Sequence, residues 1–265
     1  MKLKVCVAGV TGWIGRPLCS AIARDAGLEL VGAVARTQQG QRLKDVTGDE
    51  TLNIAISASV KDALQTPTDI LVDFTSAEAV KANVLEAIAH GVHVVVGSSG
   101  LTEDDFVEIA QAATARQVGV IAAGNFAITA VLLEQFAAQA ARYLSQWEII
   151  DYASDAKIDA PSGTARELAY RLSQVRQPES TIPIAATVGA KDSRGTTLNG
   201  SQIHSLRLPG YVISVEVIFG ATDERLTIRH DAGSGSQPYI QGTLLAIHKV
   251  SERVGLVRGL DQVLE

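Results

Sequence analysis

The amino-acid sequence predicts an α/β protein in two parts: a doubly wound parallel sheet first, then an α+β domain built on a mixed or antiparallel sheet. Three observations carry that expectation. Short, continuously apolar runs alternate with helix patterns through the first half of the chain, as strands buried on both faces require. A glycine-rich turn joins the first of these runs to the first helix pattern, as in doubly wound nucleotide-binding sheets. Beyond Asn125 the rhythm changes to strand-like runs joined by tight turns, which points to antiparallel pairing.

In order, residues 4–8 form a β-branched run, the turn Gly9-Val10-Thr11-Gly12-Trp13-Ile14-Gly15 follows, and 16–25 are amphipathic. Residues 28–35 read as a second strand with Glu29 as its only charge, and 54–57, 70–74, 92–96 and 118–122 as further short strands. Helix patterns at 77–90 and 103–117 separate the later ones, and Asn125 opens a long apolar helix to about Tyr143. Strands are then expected at 148–153, 184–189, 202–208, 211–219 and 225–229, with turns at Pro209-Gly210 and Ala221-Thr222-Asp223 and a helix at 162–175 among them. A final helix at 237–254 is expected to return to the first domain. The expected division is a first domain of residues 1–125 and 236–265, and a second of residues 126–235.

Composition narrows the classes. With 265 residues, 46% apolar and 20% charged, the chain has ample material for one large domain or two small ones and is no disordered segment. A net charge of −6 leaves no electrostatic footprint for nucleic acid or an anionic membrane, so neither partner is expected. The longest apolar stretch, 118–133, is broken by Gly124 and Asn125 and is too short to span a bilayer. Met1-Lys2-Leu3-Lys4 runs directly into a strand, so no signal peptide is expected. Cys6 and Cys19 fall in apolar patterns and read as buried free thiols, which suits a reducing, cytoplasmic compartment. No cluster has metal-ligand spacing, so no metal is expected, and neither a GxSxG nor a Cys–His nucleophile pattern occurs.

The strand–turn–helix context of Gly9, Gly12 and Gly15 fits a phosphate cradle, because glycine permits the tight turn and close approach of an anion to the helix amides. Where the second strand ends, an acid normally binds a ribose 2′-hydroxyl. This chain has Arg36 and Thr37 there, and a guanidinium favours a 2′-phosphate, so NADPH is the expected cofactor over NADH, the alternative being a solvated arginine. Trp13 has two readings, a cover for the cofactor or packing between helix and loop.

Lys157-Ile158-Asp159-Ala160-Pro161-Ser162-Gly163-Thr164-Ala165 is the most unusual string. Pro161 and Ser162 start a helix, so Ser162, Gly163 and Thr164 present amides and hydroxyls at an N-terminus suited to a carboxylate. Lys157 could pair with a second anionic group or deliver a proton; the bland alternative is an ordinary capped helix beside a solvated lysine. Among the histidines, His90 and His93 read as surface residues and His248 as solvated or interhelical. By likeness to a known family's strand motifs, His204 reads as facing a substrate cavity or subunit contact, and His230, which could form an oriented pair with Asp231, reads as structural.

That string is similar to the KxDAPSGTA signature of the 4-hydroxy-tetrahydrodipicolinate reductase (dihydrodipicolinate reductase) family. The resemblance extends along the chain through Gly9 to Gly15, Asp73-Phe74-Thr75, Gly97-Ser98-Ser99-Gly100, Ala123-Gly124-Asn125-Phe126 and Glu148-Ile149-Ile150. It continues through Ile203-His204-Ser205-Leu206-Arg207 and Leu226-Thr227-Ile228-Arg229-His230-Asp231. It implies a nicotinamide-binding Rossmann-type domain, a mixed-sheet domain for substrate and homotetramer contacts, and NAD(P)H-dependent reduction of a small cyclic imine carboxylate. By the same resemblance, Gly9, Val10, Thr11, Gly12, Trp13, Ile14 and Gly15 hold the pyrophosphate, and Arg36 and Thr37 lie at the ribose discriminator. Thr75 and the loop Gly97, Ser98 and Ser99 meet the nicotinamide end, and Ala123, Gly124, Asn125 and Phe126 close over the cofactor. Lys157 matches the catalytic lysine, and Gly163 and Thr164, next to Ser162, match the substrate-carboxylate contacts.

The chain also departs from the family pattern. Ala153 and Ser154 stand where the family keeps histidines, Ser214 where a later histidine is expected, and Ala232-Gly233-Ser234-Gly235-Ser236 lacks the usual arginine. Three explanations follow: Lys157 as sole proton donor, with Tyr152 or Asp155 nearby; a different, less anionic imine or enamine; or dinucleotide binding without turnover.

Overall fold

The computed structural model describes residues 2–264. The chain divides into two units, Met1–Ile128 with Ser236–Glu265, and Thr129–Gly235. The first unit runs β1 (Leu3–Ala8), α1 (Gly15–Arg24), β2 (Leu28–Val34), α2 (Leu43–Thr47), β3 (Ile56–Ser57), α3 (Val60–Ala63) and β4 (Ile70–Asp73). It continues through α4 (Val80–Ala89), β5 (His93–Val96), α5 (Glu103–Arg116) and β6 (Gly119–Ala122). The second unit takes α6 (Ile128–Ala141), β7 (Gln146–Ala153), α7 (Gly163–Val175), β8 (Thr196–Leu198), β9 (Ser201–Arg207), β10 (Ile213–Ala221) and β11 (Glu224–Ala232). α8 (Gln237–Val250) and β12 (Gly255–Arg258) return to the first.

The first sheet has the order β12-β6-β5-β4-β1-β2-β3, and all its pairings are parallel. This is the expected doubly wound arrangement. Successive residues of a strand face opposite sides, so both sides must be covered. Cys6, Ala8, Leu71, Val94 and Val120 pack with Val84 and Ile88 of α4 and Ile109 and Ala113 of α5. Val5, Val7 and Val95 are equally buried and belong to the other side, where α1 and α8 contact the sheet. α1 buries Gly15, Leu18, Cys19 and Ile22, the spacing of one helical face. Both cysteines are buried and free, and burial raises both thiols, Cys6 to about 12, so neither is a nucleophile.

β12 is the strand the sequence reading lacks. It pairs parallel with β6, while the last helix ends at Val250 rather than 254, because the chain must turn at Gly255, with φ of +85°, to enter the sheet edge.

The second sheet has the order β11-β10-β7-β9-β8. β10 pairs antiparallel with both β7 and β11, while β7 pairs parallel with β9, so the sheet is mixed. β7 and β9 are separated by α7 and by β8, which pairs antiparallel with β9 at the sheet edge, so the chain reverses once more before β9 runs beside β7 in the same direction. β8 and β9 form a further hairpin through Asn199 and Gly200, both with positive φ. No strand forms at 184–189; Ile184–Ala186 is a 3-10 turn after Pro183, and Val188 is fully exposed, so the run has no face to bury. One side of this sheet is covered by Leu133 and Ala137 of α6 and Leu168 and Leu172 of α7, packed on Trp147, Ile149, Val215, Val217 and Phe219. No helix among the described residues is long and apolar enough to cross a membrane.

Candidate functional site

In the first unit every strand is parallel, so the loops after β1, β4, β5 and β6 leave the same sheet edge. Strand order reverses at β1, and the crevice of a doubly wound sheet opens there. Gly9 has φ of +90° and an added Cβ would lie 2.2 Å from the Phe74 carbonyl oxygen; one on Gly15 would lie 2.0 Å from Gly9 O. The Gly12 amide donates to Gly9 O at 2.9 Å, closing the turn. Only glycine satisfies these approaches. Ile14 precedes α1 without a side-chain cap and no acid lies in the first turn; the Arg16 amide returns to Gly12 O at 3.2 Å and Pro17 carries no N–H, so an anion's donors here are the turn amides that precede them. That donor set fits a pyrophosphate. Val10 is buried, while Thr11 O accepts from Arg16 Nε at 3.1 Å. Trp13 lies edge-on to Tyr239 at 5.5 Å yet stays 54% exposed, so it packs on one side only.

Arg36 and Thr37 stand exposed after β2. Glu78 shares the Arg36 field: its carboxyl is held below the ordinary range first by a hydrogen bond from Ser76, then by its own amide, with the Arg36 charge contributing.

Beyond β4 the organising group is Asp73, which has no exposed surface. Its Oδ1 accepts from the Thr75 amide at 3.0 Å, the Thr75 hydroxyl at 2.7 Å and the Ser98 hydroxyl at 2.6 Å; its Oδ2 accepts from Asn83 at 2.8 Å. The Gly97 amide donates to Asp73 O at 2.9 Å, and a Cβ on Gly97 would sit 2.1 Å from the Phe74 ring. Ser99 is exposed beyond this loop. After β6 the Ala123 amide donates to Val96 O at 3.1 Å, Gly124 borders open space, and Asn125 Oδ1 accepts from the Ala127 amide at 2.8 Å. Phe126 is buried with its ring 5.7 Å from that of Phe74. The structure thus joins Thr75, Gly97 and Ser98 through Asp73 and Phe74, a hub the sequence reading quoted only as part of a motif. Its one local signal is an aspartate two residues before a threonine at a strand end.

In the second unit a second buried aspartate holds the helix-start loop. Asp151 Oδ2 accepts from the Ser162 amide at 2.9 Å, Ser205 Oγ at 3.1 Å and an Arg207 terminal nitrogen at 2.8 Å. The same Arg207 nitrogen donates to the Asp159 carbonyl at 2.7 Å. Burial works to raise the Asp151 pKa, and the hydrogen bonds from Ser162 and Arg207 outweigh it, so the net direction is down. Ser162 caps α7, its Oγ accepting from the Ala165 amide at 3.3 Å, and no acid occupies the first turn. Gly163 is exposed at this N-terminus and Thr164 is buried beside it. Lys157 Nζ lies 2.7 Å from Asp159 Oδ1, and that contact holds the Asp159 carboxyl below its usual range. Lys157, Ser162, Gly163 and Thr164 therefore share one braced loop and helix start.

The replacements at the expected histidine positions supply no proton donor. Ala153 is fully buried, and the Ser154 hydroxyl is used on Asp155 at 3.2 Å. Tyr152 is no neighbour of that loop. The pleat turns it to the opposite face from Asp151, where its hydroxyl donates to Glu216 at 3.2 Å and Arg229 lies 4.6 Å over its ring. Ser214 is buried and hydrogen-bonds Asp231, lowering that acid's pKa after the larger effect of Arg229. His204 binds Glu148 Oε2 at 2.6 Å, on the same sheet face as Tyr152. His93 is not a surface residue: it is partly buried and its Nδ1 accepts from the Gly119 amide at 2.9 Å. His230 is buried against Thr129 at 3.0 Å, and His248 binds Asp25 at 3.1 Å.

Comparison with known proteins agrees over the full length. The pattern of the dihydrodipicolinate reductase N-terminus matches residues 3–126, and that of the dihydrodipicolinate reductase C-terminus matches residues 129–264. The 4-hydroxy-tetrahydrodipicolinate reductase of Desulfitobacterium hafniense is 40% identical, covering 100% of this chain and 99% of that protein. The enzyme of the same name from Moorella thermoacetica is 38% identical, covering 99% of this chain and 98% of that protein. A dipicolinate-bound dihydrodipicolinate reductase from Paenisporosarcina sp. TG-14 superimposes with a TM-score of 0.85 at 28% identity, over 99% of this chain and 100% of that one. An amine dehydrogenase from Mycobacterium smegmatis shares the fold at a TM-score of 0.71 and 17% identity, over 99% of this chain and 96% of that one. With both halves matched in order and full-length relatives at this identity, the chain belongs to the dihydrodipicolinate reductase family.

Proposed function

We propose that this chain is an NAD(P)H-dependent oxidoreductase that reduces 4-hydroxy-tetrahydrodipicolinate to tetrahydrodipicolinate, a step of lysine and diaminopimelate biosynthesis. The observation that carries this reading is the braced Lys157–Thr164 segment. Asp151 and Arg207 fix a loop that offers an ammonium group and an acid-free helix N-terminus within a few residues. A substrate carboxylate binds at Gly163 and Thr164, and Lys157, directed by Asp159, supplies the proton. A reduced nicotinamide supplies the hydride. The uncapped start of α1 receives the pyrophosphate, and Arg36 binds the 2′-phosphate of NADPH in preference to NADH. The open face of the second sheet, with Tyr152, His204, Glu216 and Arg229, forms the homotetramer contact, which sedimentation of the purified protein tests.

The test of function is steady-state oxidation of NADPH and NADH with enzymatically generated 4-hydroxy-tetrahydrodipicolinate. Turnover with this substrate is expected, more efficient with NADPH. A second reading, reduction of a different and less anionic imine, is favoured by Ala153 and Ser154, one buried and the other bound to its neighbour. Dinucleotide binding without turnover of the first substrate, but with turnover of another cyclic imine, selects it.

A further inference from the structure

The end of β4 carries a buried carboxylate whose hydrogen-bond partners among the described residues are all neutral. Asp73 is 0% exposed and is held by an amide and a hydroxyl of Thr75, the hydroxyl of Ser98 and the carboxamide of Asn83. A buried charge is ordinarily paired with an opposite one, and Asp151 in the other unit has Arg207 at 2.8 Å. Hydrogen bonds from neutral groups stabilise a carboxylate without cancelling its field.

The place of that field follows from the sheet. Strand order reverses at β1, whose glycine turn suits the pyrophosphate, and Arg36 follows β2 on one side. The nicotinamide half of a dinucleotide then lies on the other side, over the ends of β4 and β5. Residues 74–75 and 97–98, the two loops Asp73 ties together, form the floor there.

We propose that Asp73 is a positioning residue for the nicotinamide end which also biases its redox state, its buried charge favouring the oxidised, cationic ring over the reduced, neutral one. The inference rests on the reading that this chain binds NAD(P)H. As hydride departs with the electron pair of the C4–H bond for the acceptor carbon, a positive charge is left on the ring. A fixed negative charge in a poorly polarisable surrounding lowers the energy of that state and needs no reorganisation to do so. A merely structural tie between the loops would affect both redox forms alike.

The experiment is fluorescence titration of the purified protein with NADP+ and NADPH, and in parallel NAD+ and NADH, for the wild type, Asp73→Asn and Ser98→Ala. Asp73→Asn is expected to weaken the oxidised form about five-fold more than the reduced one. Ser98→Ala, which keeps the charge and loses one tie, weakens both alike. An unchanged ratio of the two dissociation constants in folded Asp73→Asn overturns the inference. Should that variant not fold, Asn83→Lys places an ammonium group against Asp73 Oδ2 and must shift the ratio in the same direction; an unmoved ratio there also overturns it. A wild type that binds neither pair overturns the dinucleotide reading itself, whereas binding with unmoved ratios overturns the role of Asp73 alone.

Discussion

Two aspartates lie at the two candidate sites, one ending β4 and one two residues before the end of β7, both without exposed surface, and they are stabilised in different ways. Asp151 shares its Oδ2 with the Arg207 guanidinium and the Ser162 amide. Asp73 has hydroxyls, an amide and a carboxamide. The first arrangement neutralises a charge to make a clamp, and the clamp leaves Lys157 as the loop's working cation, with Asp159 beside it. The second keeps a charge and spends its hydrogen bonds on ordering two loops. Burial alone therefore does not tell what a carboxylate does; its partners do.

The largest expected effect lies at Lys157. Lys157→Ala should lower kcat by about two to four decades, the usual range for a lost general acid. Thermal stability should barely change, because its ion pair with the partly exposed Asp159 contributes little. Full activity in this variant would remove the assigned role. Next is the contrast between the aspartates themselves. Asp151→Asn strands Arg207 and should cost about 3–5 kcal/mol in chemical denaturation. Asp73→Asn leaves only neutral donors to rearrange and should cost about 1–3 kcal/mol. Equal losses would break the comparison.

Arg36→Ala sharpens the cofactor side. Loss of charge-assisted bonds to a 2′-phosphate, worth about 1.5–3 kcal/mol, should reduce kcat/KM for NADPH roughly 10- to 150-fold and leave NADH unchanged. Comparable efficiency with both cofactors before and after the change would remove the NADPH preference. The smallest effect is one of pH. Burial lowers the pKa of His93 in one unit and His230 in the other, so the unfolded chain binds protons that the folded chain does not. Stability should hold above the ordinary histidine value of 6.5 and decline as pH falls below it, by at most about 1.4 kcal/mol per unit for each group. Asp151, depressed, keeps its contribution until pH drops below 3.8. His93→Gln with His230→Gln should flatten the decline between these limits in urea titrations.

The doubly wound sheet was legible because its marks are local: glycines at a turn, apolar runs of four to eight residues and helical spacing between them. The string around Lys157 was legible for the same reason. β12 was not, since Gly-Leu-Val-Arg has only two apolar side chains and becomes a strand only where β6 offers a free edge. Nor was the Asp73 hub, because Ser98 lies 25 positions away and nothing in either segment names the other. The parallel pairing of β7 and β9 was open to reading, since a helix and a long connection rather than a tight turn separate them. The position of Tyr152 could equally have been taken from the alternation of its strand.

β12 has one more consequence, for the order in which the chain becomes whole. During synthesis the residues of the second unit leave the ribosome before α8 and β12, so the inserted unit is complete in sequence while its host still lacks an edge strand and a covering helix. Until residues 237–258 emerge, β6 is an open edge, and Gly119 has yet to meet the Val250 carbonyl that will lie against it. The half that holds the glycine turn is the first to be made and the last to be finished.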